Sequence, residues 1–157
     1  MMKKVSKNTK ETMEIAKTFL DKILRNNKKQ KGALVVALSG DLGAGKTAFT
    51  QAVAKHLGIK EKVTSPTFVI MKKYSINLEN YNFLFHFDAY RLKNEKELLH
   101  LGWEEIIEKK EHIVFIEWPK NVKKAIPDDA KFIYISHKEN GGRILELNPP
   151  KFSTKIK

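Results

Sequence analysis

Gly40-Asp41-Leu42-Gly43-Ala44-Gly45-Lys46-Thr47 matches the pattern G-x-x-x-x-G-K-[ST] in full. Residues 33–38 precede it as a short apolar run of strand length, too continuous for a strand with one wet face. Residues 46–57 follow it with Phe49, Val53 and Leu57 on one helical face and Gly58 as C-cap. Buried strand, glycine turn and helix in that order predict a phosphate-binding loop in an α/β sheet. Gly40, Gly43 and Gly45 let the backbone turn tightly and bring its N–H groups onto phosphate oxygens. The helix N-terminus points its positive dipole end at the same place. Lys46 adds a point charge for the β- and γ-phosphates, and Thr47 a hydroxyl for Mg²⁺.

Such a loop needs a carboxylate at the end of a neighbouring strand. Ile113-Val114-Phe115-Ile116-Glu117 has that form, four apolar residues and then an acid, so Glu117 is the candidate metal ligand and water-orienting group. His86-Phe87-Asp88-Ala89-Tyr90-Arg91 is a second cluster. Alternation puts His86 and Asp88 on one side of a strand. Asp88 is placed to serve the metal or the water, and Arg91 to meet phosphate charge. A histidine among aromatics is ordinarily a packed one. Whether Glu117 or Asp88 handles the attacking water is left open by the residues alone.

Outward from these segments, Asn8 and Glu11 form a capping pair, and Ile15, Ala16, Phe19, Leu20, Ile23 and Leu24 recur at helical spacing behind it. Residues 25–32 read as a polar, basic connector. Residues 63–67 read as a loop, 68–74 and 81–87 as strands, 94–101 as a short helix stopped by Gly102, and 103–110 as a second helix. Pro119 biases Trp118 toward extended backbone. Residues 131–137 and 143–147 flank Glu139-Asn140-Gly141-Gly142 as a hairpin. Residues 149–157 read as a short polar tail, and 1–32 as a basic N-terminal helix and linker. No repeat or internal boundary is visible, so residues 1–157 read as a single domain. Strands alternating with helices predict a three-layer α/β sandwich like that of P-loop NTPases, with a partly parallel central sheet and a C-terminal hairpin.

The 157 residues carry 30 Lys+Arg and 18 Asp+Glu, a formal charge of +12. Residues 1–31 hold ten basic and three acidic groups, +7 of that total. The excess is therefore a lysine-rich end and not a basic groove. Only Arg25, Arg91 and Arg143 are arginines. That is meagre for a specific nucleic-acid reader and for a metabolite kinase with an arginine-bearing lid. With no cysteine, a disulfide scaffold, a Cys-ligated zinc, an iron–sulfur cluster and thiol catalysis are excluded. No apolar run approaches the ~18–20 residues that cross a bilayer, and no h-region follows the first lysines. A cytoplasmic protein is the expectation.

Taken in series, the loop at 40–47, Ser65-Pro66-Thr67-Phe68, His86-Phe87-Asp88-Ala89-Tyr90-Arg91 with Leu92, Glu97-Leu98 before Leu101-Gly102, and Glu117-Trp118-Pro119 resemble one family. It is TsaE, also called YjeE, the bacterial ATPase of tRNA threonylcarbamoyladenosine biosynthesis. The resemblance runs from about residue 9 to residue 147. It implies an enzyme that binds and hydrolyses ATP with Mg²⁺ and acts with the proteins TsaB and TsaD, which place threonylcarbamoyl on A37 of tRNA. The transfer itself belongs to the partners, so tRNA is met through the complex, and hydrolysis is weak without them. By position, the resemblance assigns Leu42, Gly43, Ala44, Gly45, Lys46 and Thr47 to the phosphates, and Thr47 and Glu117 to Mg²⁺. It makes Ser65 to Thr67 a switch-like loop and places Asp88, with Glu117 and Lys46, in the catalytic set. Arg143 matches an arginine that contacts ATP, and Thr9 and Thr12 match the adenine side. Trp118 is expected beside the nucleotide or a partner.

Overall fold

Residues 2–26, 31–41, 43–149 and 152 are described by the computed structural model. Strand β2 (Leu34–Ser39) is buried at all six positions, as a strand covered on both faces must be. It lies at the middle of a seven-stranded sheet of order β1-β7-β6-β2-β5-β4-β3. On one side it pairs in parallel with β5 (His112–Glu117), which pairs in parallel with β4 (Tyr81–Asp88). On the other it pairs in parallel with β6 (Lys131–His137). Antiparallel strands close both edges: β3 (Met71–Leu78) on β4, and β7 (Arg143–Leu147) on β6 with β1 (Met2–Ser6) beyond it.

Leu34, Val36 and Leu38 face one layer and Val35 and Ala37 the other. The first layer is α1 (Thr9–Arg25) and α2 (Lys46–His56), joined by an edge-on contact of Phe19 and Phe49 at 6.1 Å. The second contains α3 (Glu95–Leu99), α4 (Trp103–Ile107) and a 3₁₀ segment, Pro119–Ala125. Trp103 is buried there edge-on to Phe87 at 5.0 Å and donates its indole N–H to the Ala125 carbonyl at 3.0 Å. These are the expected three layers with their C-terminal hairpin. Among the described residues no helix is long and apolar enough to cross a membrane.

Local signals explain most boundaries. Asn8 accepts the Glu11 N–H at 2.9 Å, and Glu11 reaches back to the Lys7 N–H at 2.6 Å. At the end of α2 the Ile59 N–H bonds Ala54 O at 3.0 Å and Gly58 N–H bonds Lys55 O at 3.1 Å, the paired C-terminal bonds that need a left-handed residue. Gly58 supplies it at φ +82°.

Some expectations are corrected. Residues 2–6 form strand β1, missed because Lys3 and Lys4 hide an edge strand whose partner β7 lies at the far end of the chain. Residues 68–70 are not strand: Phe68 and Val69 are exposed, and β3 begins at Met71. Both short helices end earlier than their spacing suggests, at Leu99 and Ile107. The tail is not simply polar, since Phe152 packs edge-on against Phe132 at 5.1 Å. Residues 27–30 of the connector and most of the tail lie outside the described residues, as does Leu42.

Candidate functional site

The loop at 40–45 leaves the C-terminal end of β2, between the ends of β5 and β6. Gly40 has φ +145°, and a Cβ there would strike the carbonyl oxygen of Ile135 in β6. Gly45 has φ +105° and starts α2 without a side-chain cap. The first N–H groups of α2 are therefore directed out of the helix end without help from a capping side chain. Lys46 folds back over the loop, donating from Nζ to Gly40 O at 2.7 Å and Asp41 O at 2.8 Å. Burial lowers its pKa, and the carboxylates of Glu117, Asp88 and Asp41 oppose that shift.

Parallel pairing of β4 and β5 sets Asp88 directly opposite Glu117 at their C-terminal ends. Glu117 Oε2 accepts from Thr47 Oγ1 at 3.2 Å and from His86 Nε2 at 2.6 Å. Asp88 accepts from Thr67 Oγ1 at 2.9 Å through Oδ2 and from the Tyr90 N–H at 2.9 Å through Oδ1. Thr67 is in turn 2.6 Å from Ser65 Oγ. The loop, the acids and residues 65–67 thus meet around a cleft of about 280 Å³, lined among others by Lys46, Thr47, Thr67, Asp88, Glu117 and Trp118. Arg91 is turned elsewhere, its guanidinium 4.6 Å from the exposed Phe68 ring.

Trp118 is not extended. It sits at φ 59°, ψ 49°, an uncommon backbone for a residue with a side chain. Its N–H bonds Leu38 O at 3.2 Å, its ring lies 5.0 Å from that of Tyr90, and Lys46 Nζ is 4.4 Å from the indole centroid. Sheet pairing on one side and ring packing on the other override the preference imposed by Pro119. Ile70, at φ 68°, is a second such residue. Its carbonyl accepts the Asp88 N–H at 2.8 Å. Of the five non-glycine residues with positive φ among the described residues, Trp118 and Ile70 flank the acids.

On the other side of the loop, Thr9 and Arg143 line one cleft of about 210 Å³ with Ser6, Asn8, His137 and Gly142. A Cβ on Gly45 would come within 2.7 Å of Arg143 Nε, so Arg143 lies directly against the loop. Thr12 is near but 3% exposed, its hydroxyl 2.6 Å from Ser6 Oγ. His137 was not singled out from the sequence. It ends β6 as Glu117 ends β5, and only the strand order reveals that β6 is the second neighbour of β2.

The fold defines a class: a three-layer α/β protein with a partly parallel seven-stranded sheet and a glycine loop at the end of its central strand. Residues 6–145 match the family model described as threonylcarbamoyl adenosine biosynthesis protein TsaE, and the chain belongs to that family, which serves tRNA threonylcarbamoyladenosine biosynthesis. A tRNA threonylcarbamoyladenosine biosynthesis protein TsaE of Rickettsia typhi is 31% identical over 144 residues, covering 91% of this chain and 92% of its own. The Bacillus subtilis protein of the same name is 39% identical over 101 residues, 64% of this chain and 60% of its own. The crystal structure of Bacillus subtilis YdiB matches with a TM-score of 0.71 at 30% identity, over 93% of this chain and 83% of that one.

Proposed function

We propose that this protein binds and hydrolyses Mg-ATP in the cleft at 40–47 and, with TsaB and TsaD, supports threonylcarbamoylation of tRNA A37 in the cytoplasm. The observation that carries the ATP reading is the Thr47–Glu117 hydrogen bond at 3.2 Å. It joins the P-loop hydroxyl to the acid that ends the adjacent parallel strand. A hydroxyl and a carboxylate are hard oxygen donors, the set Mg²⁺ accepts when phosphates and water complete its shell. When bound, Mg²⁺ neutralises charge on the β- and γ-phosphate oxygens.

The chain's own groups divide the work. Backbone N–H groups of Gly43 to Thr47 cradle the phosphates. Lys46, whose Nζ donates to Gly40 O and Asp41 O, would donate to phosphate oxygens when ATP is bound, negative partners that favour its buried charge. Thr47 and Glu117 hold the metal side. Asp88 holds Thr67 over the cleft and stands close enough to Glu117 for either carboxylate to orient the water. Arg143 and Thr9 lie on the opposite side of the loop, where the nucleoside end of ATP would extend. The partners and the tRNA role rest on family membership.

Calorimetric titration with ATP, with and without Mg²⁺, tests the reading. Saturable one-to-one binding that strengthens with Mg²⁺ is expected. No binding in either condition would overturn it.

A further inference from the structure

We propose that His86 is a positioning residue: it holds the Glu117 carboxylate against Thr47 and thereby sets the Mg²⁺ requirement of the site. This rests on the reading of Thr47 and Glu117 as the metal side. His86 lies in the middle layer, 0% exposed, opposite Phe115 and two residues before Asp88 on the same strand face. Its Nε2 is 2.6 Å from Glu117 Oε2. Because a carboxylate oxygen only accepts, the proton of that bond is on Nε2. The other ring nitrogen, Nδ1, is buried with no hydrogen-bond partner among the described residues.

A core position flanked by Leu84 and Phe115 would pack better with an apolar side chain, which brings no orphaned nitrogen. Packing therefore does not account for the imidazole. What it does that leucine cannot is donate to Oε2, the same oxygen that Thr47 contacts. A glutamate side chain has three rotatable bonds, and the Thr47 contact at 3.2 Å is the longer of the two. The shorter, fully buried bond from a rigid strand selects one rotamer. Groups that orient a metal ligand in this way change metal affinity by about 10–100-fold when removed.

The test uses the full chain with His86→Leu, His86→Gln and His86→Asn. Affinity for a fluorescent ATP analogue is measured in EDTA and over a Mg²⁺ series, with the ligand-free thermal midpoint alongside. His86→Leu is expected to fold with a lowered midpoint, because the buried Glu117 carboxylate loses a donor, and to bind normally in EDTA. It should need about 10–100-fold more Mg²⁺ for half of the Mg²⁺-dependent gain in affinity. His86→Gln, whose amide nitrogen reaches as far as Nε2, should recover most of the loss, and the shorter His86→Asn should not. An unchanged Mg²⁺ requirement in folded His86→Leu overturns the inference, as does a folded His86→Gln no better than His86→Leu. If His86→Leu fails to fold, an equal requirement in His86→Gln and His86→Asn overturns it. If the unaltered chain shows no Mg²⁺ dependence, the Mg-ATP reading fails in that arm alone and takes the inference with it.

Discussion

Asp88 and Glu117 occupy one rung of the parallel β4–β5 ladder, yet each is committed to a different element of the site. Glu117 is bonded to Thr47 at the head of α2, and Asp88 to Thr67 in the loop at 65–67. The two acids therefore link the glycine loop at 40–47 and the loop at 65–67 through adjacent strand ends.

Glu117→Ala should separate binding from turnover. Loss of a metal-orienting or water-orienting group acts on the transition state more than on the ground state. Turnover should fall roughly 10²-fold or more, with ATP affinity in EDTA unchanged. Single-turnover hydrolysis beside equilibrium binding checks this. Equal loss of affinity with normal bound-state turnover would assign Glu117 another role.

Lys46→Met should keep the fold and lose productive ATP use. The sign of its pH effect follows from burial. Lys46 in the folded chain has a pKa below its ordinary 10.5, so in the alkaline window below that value the unfolded chain binds more protons. Stability of the unaltered protein should rise with pH there, relative to Lys46→Met. Denaturant midpoints of both proteins across neutral to alkaline pH measure the difference. An opposite slope would contradict the burial of a charged Lys46.

Much of this arrangement is legible in the residues, because its segments are local. The loop at 40–47 and its flanking strand and helix lie within one short stretch, and each glycine has a steric reason. Glu117 was legible as an acid closing an apolar run. Pairings between distant segments were not. Strand β1 depends on β7, and His137 on β6 being the neighbour of β2. Trp118 departs from the extended backbone that Pro119 favours, because that local bias is outweighed by the Leu38 carbonyl and the Tyr90 ring. His86 looked like a packed histidine, and it is buried, but only the β4–β5 register discloses its bond to Glu117.

Phe49 is fully buried in α2 between Phe19 and Phe115. Phe49→Ala should cost about 3–5 kcal/mol through lost burial and the cavity left behind. Chemical denaturation measures it. A loss under about 1 kcal/mol would mean that the α1–α2 layer relaxes around the gap.

Salt separates the two kinds of charge in the chain. If Mg-ATP is held by the buried Lys46 and Glu117, its binding should change little with ionic strength. Any association of the isolated chain with tRNA, made by exposed lysines, should weaken sharply. Filter binding over a salt series checks this, and tight tRNA binding in several hundred millimolar salt would favour a nucleic-acid module.

The central claim is a Mg-dependent ATPase completed by its partners. The cleft holds Lys46 and two acids, while Arg91 packs on Phe68 and Arg143 lines the separate cleft on the other side of the loop. A group supplied in trans raises phosphoryl transfer by about 10³–10⁵-fold in other P-loop systems. The most direct measurement is steady-state ATP hydrolysis by the pure protein, then with TsaB and TsaD added, with Lys46→Met as the blank. Slow hydrolysis alone and a large rise with both partners, absent in Lys46→Met, is the expected result. An equal rate with and without the partners, or a rise that persists in Lys46→Met, would contradict it.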